Sequence, residues 1–227
     1  MKSPIQAATI RTPKDLAPFL DHTLLAPGAT AEDVARVCAE ARTHGFGAVC
    51  LYPAAVSAAR GHLAGSGVRV AAVVDFPRGE ATTETRVREA RAAVAAGADE
   101  LDLVAPQREL AAARWEAVLE DLSAVVRAVP VPVKVILETA RLSRDAKVAA
   151  ASITVSAGAA FVKTSTGFGG GGATVDDVAL LRRVVGAGVG VKASGGIRTA
   201  ADALALVRAG ASCVGASACV TIVTGAF

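Results

Sequence analysis

The chain is short of lysine, nearly without tyrosine, and carries no charged block. Of its 24 basic residues only six are lysines, so arginine fills nearly all the surface-like basic positions and a lysine inside an apolar run stands out as specifically placed. The 21 acidic residues leave a net charge of +3 spread along the sequence, which excludes the basic footprint of a nucleic-acid-binding protein. The four cysteines, Cys38, Cys50, Cys213 and Cys219, have no paired zinc spacing and lie in apolar sequence, as reduced thiols of a cytoplasmic protein do. His22, His44 and His62 have no ligand-like spacing, so no metal is expected. The pair Asp21-His22 alternates, which turns His22 to the opposite face as a structural residue. No Gly-x-Gly-x-x-Gly follows the first apolar segment, which weighs against a dinucleotide, and no cofactor is expected. Met1-Lys2-Ser3-Pro4 leads into no apolar secretory segment. Ala209 to Phe227 is uncharged over 19 residues but rich in Gly, Ser, Thr and Ala, and reads as buried strand, loop and final helix rather than a membrane span.

What is present is a repeating unit: a helix-like stretch, a glycine, then a short apolar strand. It recurs at Gly45, Gly67, Gly97, Gly158, Gly188 and Gly210, each glycine fitting a helix stop. Phe19 to Thr23 and Val131 to Thr139 bring the expected strands to eight. Helix starts are marked at Thr30, Thr174 and Thr199, each a capping residue followed by acid in the first turn. Eight strand-helix units in 227 residues point to a single (β/α)₈ barrel over residues 1–227, with a short helical segment before the first strand; an open doubly wound sheet is the competing architecture. In such a barrel, function gathers where strands end and loops begin.

Lys163 ends the sixth expected strand and runs into a hydroxyl- and glycine-rich loop, Thr164 to Phe168. Burial disfavours an ammonium, and a neutral lysine amine is what imine chemistry requires. A solvent-snorkelling lysine is the bland alternative. Lys192 holds the equivalent place on the seventh strand, and a second cation nearby would disfavour the proton on the first. Asp102 alternates with Leu101 and Leu103 on the fourth strand, an inward carboxylate suited to a charge pair or a proton shuttle. Asp21 on the first strand offers another carboxylate, for substrate hydroxyls or for the barrel floor. Glycines follow the last three strands, at Gly167 to Gly172, Gly195-Gly196 and Gly215-Ala216-Ser217, where bare amides suit an anion. The run Gly169 to Gly172 equally reads as flexible linker.

Together the segments Asp21 to Leu25, Glu100 to Asp102, Val133 to Thr139, Phe161 to Phe168 and Val191 to Thr199 resemble the deoxyribose-phosphate aldolase family of class I aldolases, in order and over almost the whole chain. The resemblance implies a Schiff base on Lys163, tuned by Lys192, with Asp102 and Lys192 relaying protons through water. It further implies reversible cleavage of 2-deoxyribose 5-phosphate to acetaldehyde and glyceraldehyde 3-phosphate in deoxyribose phosphate catabolism. Substrate binding would fall to Asp21, Thr23, Gly167, Gly195, Gly196, Gly215 and Ser217. Partners would be small phosphorylated sugars and aldehydes, with no nucleic acid and no membrane; a homodimer and a homotetramer are both open.

The sequence departs from the family pattern at Tyr52, where a small amide residue is usual, at Asp75 in place of glycine, and at Cys213 in place of arginine. Ala218 and Cys219 replace frequent Ser or Gly near the last glycine loop. These departures bear on substrate preference and phosphate affinity. Whether Cys50 lies close enough to the pocket to react with aldehydes is a further question. Some members carry a C-terminal tyrosine that assists proton transfer, whereas here Tyr52 is the only tyrosine and the last residue is Phe227, so that role is either absent or filled by water. Another lysine-dependent barrel aldolase, or a sugar-phosphate-binding barrel without turnover, are the competing functional readings.

Overall fold

The computed structural model describes residues 9–227; Met1 to Pro4, read above for a secretory segment, lie outside the described residues. After a 3₁₀ segment, Pro13–Phe19, the first half of the chain runs β1 (Leu20–Leu24), α1 (Ala31–His44), β2 (Ala48–Leu51), α2 (Val56–Leu63), β3 (Arg69–Val74), α3 (Thr83–Ala95) and β4 (Glu100–Val104). The second runs α4 (Gln107–Ala111), α5 (Trp115–Arg127), β5 (Val133–Ile136), α6 (Arg144–Ser156), β6 (Phe161–Lys163), α7 (Val175–Val185), β7 (Gly190–Ser194), α8 (Ala200–Arg208), β8 (Cys213–Ala216) and α9 (Cys219–Thr224). No described helix is long and apolar enough to cross a membrane.

Local chemistry sets many of these boundaries. The hydroxyls of Thr30, Thr174 and Thr199 accept hydrogen bonds from the amides of Asp33, Asp177 and Asp202, each cap contributing about 1 kcal/mol. At Thr30 and Thr199 the aspartate reaches back to the capping residue's own amide and closes a capping box. Gly45 ends α1 in the left-handed conformation, φ 69°, which a side chain would resist. The stops expected at Gly67 and Gly188 fall earlier: α2 ends at Leu63 with Ala64 as its cap, and α7 ends at Gly186, φ 64°, whose amide still bonds back to Arg182.

All eight strands pair in parallel with their sequence neighbours, and β1 closes on β8, so the sheet is a closed (β/α)₈ barrel and the open doubly wound alternative is excluded. Alternation along the strands divides their side chains between two environments. Outward Val49, Leu51, Val70, Leu101, Leu103, Val135 and Val191 join Val37, Ala41, Val118, Leu122 and Leu181 of the helices in one apolar layer. Inside are Cys50, Ala71 and Val73, a small apolar group, and with them the charged residues Asp102, Lys134, Lys163 and Lys192, each 3% exposed or less.

A second buried charge lies outside the barrel. Arg86 of α3 is fully buried although its segment reads as a polar helix surface. Its Nε donates to Asp75 Oδ2 at 2.8 Å and its NH1 to Asp121 Oδ2 at 2.5 Å, while Thr83 Oγ1 donates to the other Asp121 oxygen at 2.6 Å. Asp75 adopts φ 49°, a left-handed conformation that aspartate tolerates better than most side chains, and it points at Arg86. The tie joins the β3 loop, α3 and α5. Arg86→Met leaves two nearly buried carboxylates without their cation, and urea unfolding should show a loss of about 3–5 kcal/mol.

Candidate active site

Strand register brings the lysines together. Lys163 and Lys192 are direct partners across β6 and β7, and Asp102 and Lys134 across β4 and β5. The inward rows then converge on one carboxylate. Asp102 Oδ2 accepts from Lys163 Nζ at 2.7 Å and from Lys192 Nζ at 2.8 Å, while Oδ1 accepts from Lys134 Nζ at 2.9 Å. Lys192 also donates to Asp21 Oδ2 at 2.5 Å, and Lys134 lies 3.0 Å from Glu100 Oε1.

This differs from two facing cations. The sequence suggested that Lys192 would act on Lys163 mainly by repulsion; the structure interposes a shared carboxylate oxygen. Burial opposes the charge on Asp102, but Lys134, Lys163 and Lys192 outweigh it and hold the carboxyl well below its usual range. Burial likewise opposes the Lys192 ammonium, and Asp102 and Asp21 reverse that, holding it well above the usual lysine value. In the resting site Lys192 is therefore held as a cation and Asp102 as an anion. Cys50 lies beside them, Sγ 3.8 Å from Asp102 Oδ2, and burial with the adjacent carboxylate pushes its thiol up to about 11. At neutral pH it is a protonated thiol, a poor nucleophile.

Above this cluster, at the C-terminal ends of the strands, opens a cavity of about 390 Å³. Lys163 forms part of its lining, and so do Thr23, Gly167, Gly195, Gly196, Gly215 and Ser217. Asp102, Lys192 and Asp21 lie behind Lys163 rather than on the lining, so Asp21 stands as counter-charge to Lys192. Gly195 and Gly196 have φ 91° and 77°, successive left-handed conformations that turn the backbone around the cavity edge. Sequence reasoning passed over two residues. Arg198 lines the cavity and is its one lining arginine among the described residues. Lys134 was given no role in the site, although its place in an apolar run, alternating with Val133 and Val135, was the signal that it points inward with Asp102.

A larger cavity, about 540 Å³, opens at the opposite end of the barrel and is lined by Glu100, Lys134, Arg69, Phe161 and Cys213 among others. Its lysine is already shared between two carboxylates, and the glycine loops are at the other end. Volume does not decide the site; the lysine at a strand end facing glycine loops does.

Residues 16–222 match the family described as DeoC/LacD family aldolase. The chain belongs to that family. It is 49% identical over 211 residues to the deoxyribose-phosphate aldolase of Deinococcus radiodurans, covering 92% of this chain and 96% of that one. To the deoxyribose-phosphate aldolase of Thermococcus gammatolerans it is 48% identical over 217 residues, 93% of this chain and 96% of the other. Among solved structures, the tetrameric deoxyribose phosphate aldolase of Aeropyrum pernix superposes with a TM-score of 0.89 at 36% identity, over 97% of this chain and 95% of that one.

Two departures from the family pattern, Asp75 and Cys213, fall away from the strand-end cavity. Asp75 is turned into Arg86. Cys213 lies at the opposite end of the barrel, in register with Lys192 but lining the lower cavity, so it does not touch the glycine loops. Tyr52 lines an apolar groove that shares Leu24 and Ala26 with the strand-end cavity and meets Phe76 edge-on at 6.0 Å, and Phe76 in turn meets Phe168 of the cavity lining at 5.4 Å. Only Ala218 and Cys219 adjoin a glycine loop, and Cys219 is buried with its thiol 3.1 Å from the carbonyl of Ala216. His22 faces α1, with Nε2 2.6 Å from Glu40 Oε2, on the side away from the site.

Asp102→Asn tests the shared carboxylate. It leaves three buried lysines against Asp21 and Glu100, and stability at pH 7 should fall by about 3–5 kcal/mol. The variant then holds a lysine whose folded pKa lies below its unfolded value, so the unfolded chain binds more protons and stability rises with pH. Urea unfolding should show the deficit shrinking from pH 7 toward pH 10.

Proposed function

We propose that the chain is a Schiff-base aldolase that reversibly cleaves 2-deoxyribose 5-phosphate to acetaldehyde and glyceraldehyde 3-phosphate. The reading is supported by one observation above all: Lys163 Nζ, 2.7 Å from the Asp102 carboxylate, forms part of the lining of a cavity whose far wall is glycine loops.

Lys163 Nζ loses a proton and attacks the aldehyde carbon of the open-chain sugar, giving a carbinolamine. Protonation of its hydroxyl expels water and leaves a protonated imine. Loss of the proton from the substrate's C3 hydroxyl breaks the C2–C3 bond, the electron pair moves into the imine to form an enamine, and glyceraldehyde 3-phosphate departs. The enamine is protonated at C2, and water hydrolyses the new imine to release acetaldehyde and restore the amine. Asp102 is the nearest acceptor for the Lys163 proton and, with water, returns it; Lys192, held charged, keeps Asp102 oriented and stabilises its charge. The phosphate falls to the amides and small side chains of Gly167, Gly195, Gly196, Gly215 and Ser217, with Arg198 as cation, while Thr23 contacts the sugar and Asp21 acts through Lys192.

The same reading carries a cytoplasmic location, small phosphorylated sugars and aldehydes as substrates, and assembly as a homodimer or homotetramer, the latter supported by the Aeropyrum pernix relative.

Incubation with acetaldehyde followed by borohydride should place a reduced adduct on Lys163, located by peptide mass. Absence of the adduct in the unaltered protein would remove the imine mechanism. Lys163→Leu should lower cleavage by about 10⁴-fold or more. Phosphorylated deoxyribose should be turned over faster than the free sugar; equal rates would show the glycine loops misassigned and favour a different acceptor.

A further inference from the structure

The loop after β6 is held down by a residue that is not itself part of the cavity lining. Glu138 follows β5, is 2% exposed, and adopts φ 59°, ψ 60°, a left-handed conformation costly for a glutamate. The conformation aims its carboxylate across to the β6 loop. Oε2 accepts from the Thr166 hydroxyl at 2.6 Å and from the Thr166 amide at 3.2 Å, and the same hydroxyl accepts from the Phe168 amide at 3.0 Å. Gly167, a lining residue with φ 87°, is thereby fixed between Thr166, bonded to the carboxylate, and Phe168, bonded to the Thr166 hydroxyl.

The run Gly169 to Gly172 completes the contact and is not a linker. A Cβ on Gly169 would lie 2.5 Å from the Glu138 carboxyl carbon, one on Gly171 2.3 Å from Ala140 Cβ, and one on Gly172 2.4 Å from the Gly195 carbonyl oxygen. The last two contacts, with the Ala173 amide bonded to that carbonyl at 3.1 Å, carry the tie from the β5 loop through the β6 loop to Gly195. Three loops are stitched in series, and Glu138 is the one side chain that starts the seam.

We propose that Glu138 is a positioning residue for the phosphate half of the substrate: by latching Thr166 and packing on Gly169 it sets the Gly167 and Gly195 backbone to which the anion binds, without acting on Lys163. The proposal rests on the reading of the cavity as a sugar-phosphate site. Buried, strained groups of this kind persist where surrounding structure fixes them, and small displacements of binding groups are costly to a reaction.

The test compares KM and kcat for phosphorylated and free deoxyribose in Glu138→Ala, Glu138→Gln, Gly169→Ala and the double variant Glu138→Ala/Gly169→Ala. Glu138→Ala should raise KM for the phosphorylated sugar by about tenfold or more while leaving the free sugar and the Lys163 borohydride adduct little changed. Glu138→Gln keeps an oxygen acceptor and should restore the preference. Gly169→Ala, which pushes on the carboxylate without removing it, should give the same signature if Glu138→Ala fails to fold. In the double variant the methyl group has room, so the two losses should not add. Equal losses on both sugars, additive effects, or no rescue by glutamine would overturn the proposal. Failure of the adduct in the unaltered protein would instead overturn the aldolase reading.

Discussion

The barrel is organised around one carboxylate. Asp102 takes three lysine ammonium groups on its two oxygens at 2.7 to 2.9 Å, in a place from which water is nearly excluded. Unpaired, each of those lysines would lose its charge or oppose the fold, because desolvating an ammonium costs several kcal/mol. Asp21 and Glu100 complete the balance at the edges, on Lys192 and Lys134. A nucleophilic lysine is thus kept inside a parallel barrel by the same group that stands ready for its proton, so structural need and chemical use are met by one side chain.

Neighbouring groups divide the labour. Lys134 occupies one Asp102 oxygen and leaves the other to be shared by Lys163 and Lys192. Of these two, Lys163 lies on the cavity lining and Lys192 lies behind it, bound on both sides by carboxylates. Position, more than intrinsic reactivity, decides which lysine meets a substrate. On the opposite wall no side chain is needed to make the backbone amides available, and glycine fills the places where three loops approach within contact of one another.

Much of this was legible in the sequence, and the exceptions have physical reasons. Cap residues at Thr30, Thr174 and Thr199 act locally, so their signal survives in a short window. The inward placement of Asp102, Lys163 and Lys192 followed from strand alternation. Their electrostatics did not, because register decides whether a carboxylate stands between two amines. Arg86 looked like a surface residue because its partners, Asp75 and Asp121, lie 11 and 35 residues away. The glycine run was ambiguous for the same reason: whether glycine supplies freedom or close approach depends on what lies across from it, here Glu138, Ala140 and Gly195. Gly188 was a misplaced stop simply because Gly186 was closer to the helix.

The closure of β1 on β8 bears on how the molecule is made. Lys192 bonds to Asp21 across a sequence separation of 171 residues, and Gly215 pairs with Asp21 where the barrel seals. Contacts so distant along the chain carry a large loop-closure cost and form late. During synthesis, Asp21 has emerged long before its lysine, and until β8 docks Asp21 faces a gap in the sheet. Docking of β7 and β8 therefore confers both the balanced charge at the centre, through Lys192, and the sealed hydrogen-bond ring, so a chain without these strands has neither.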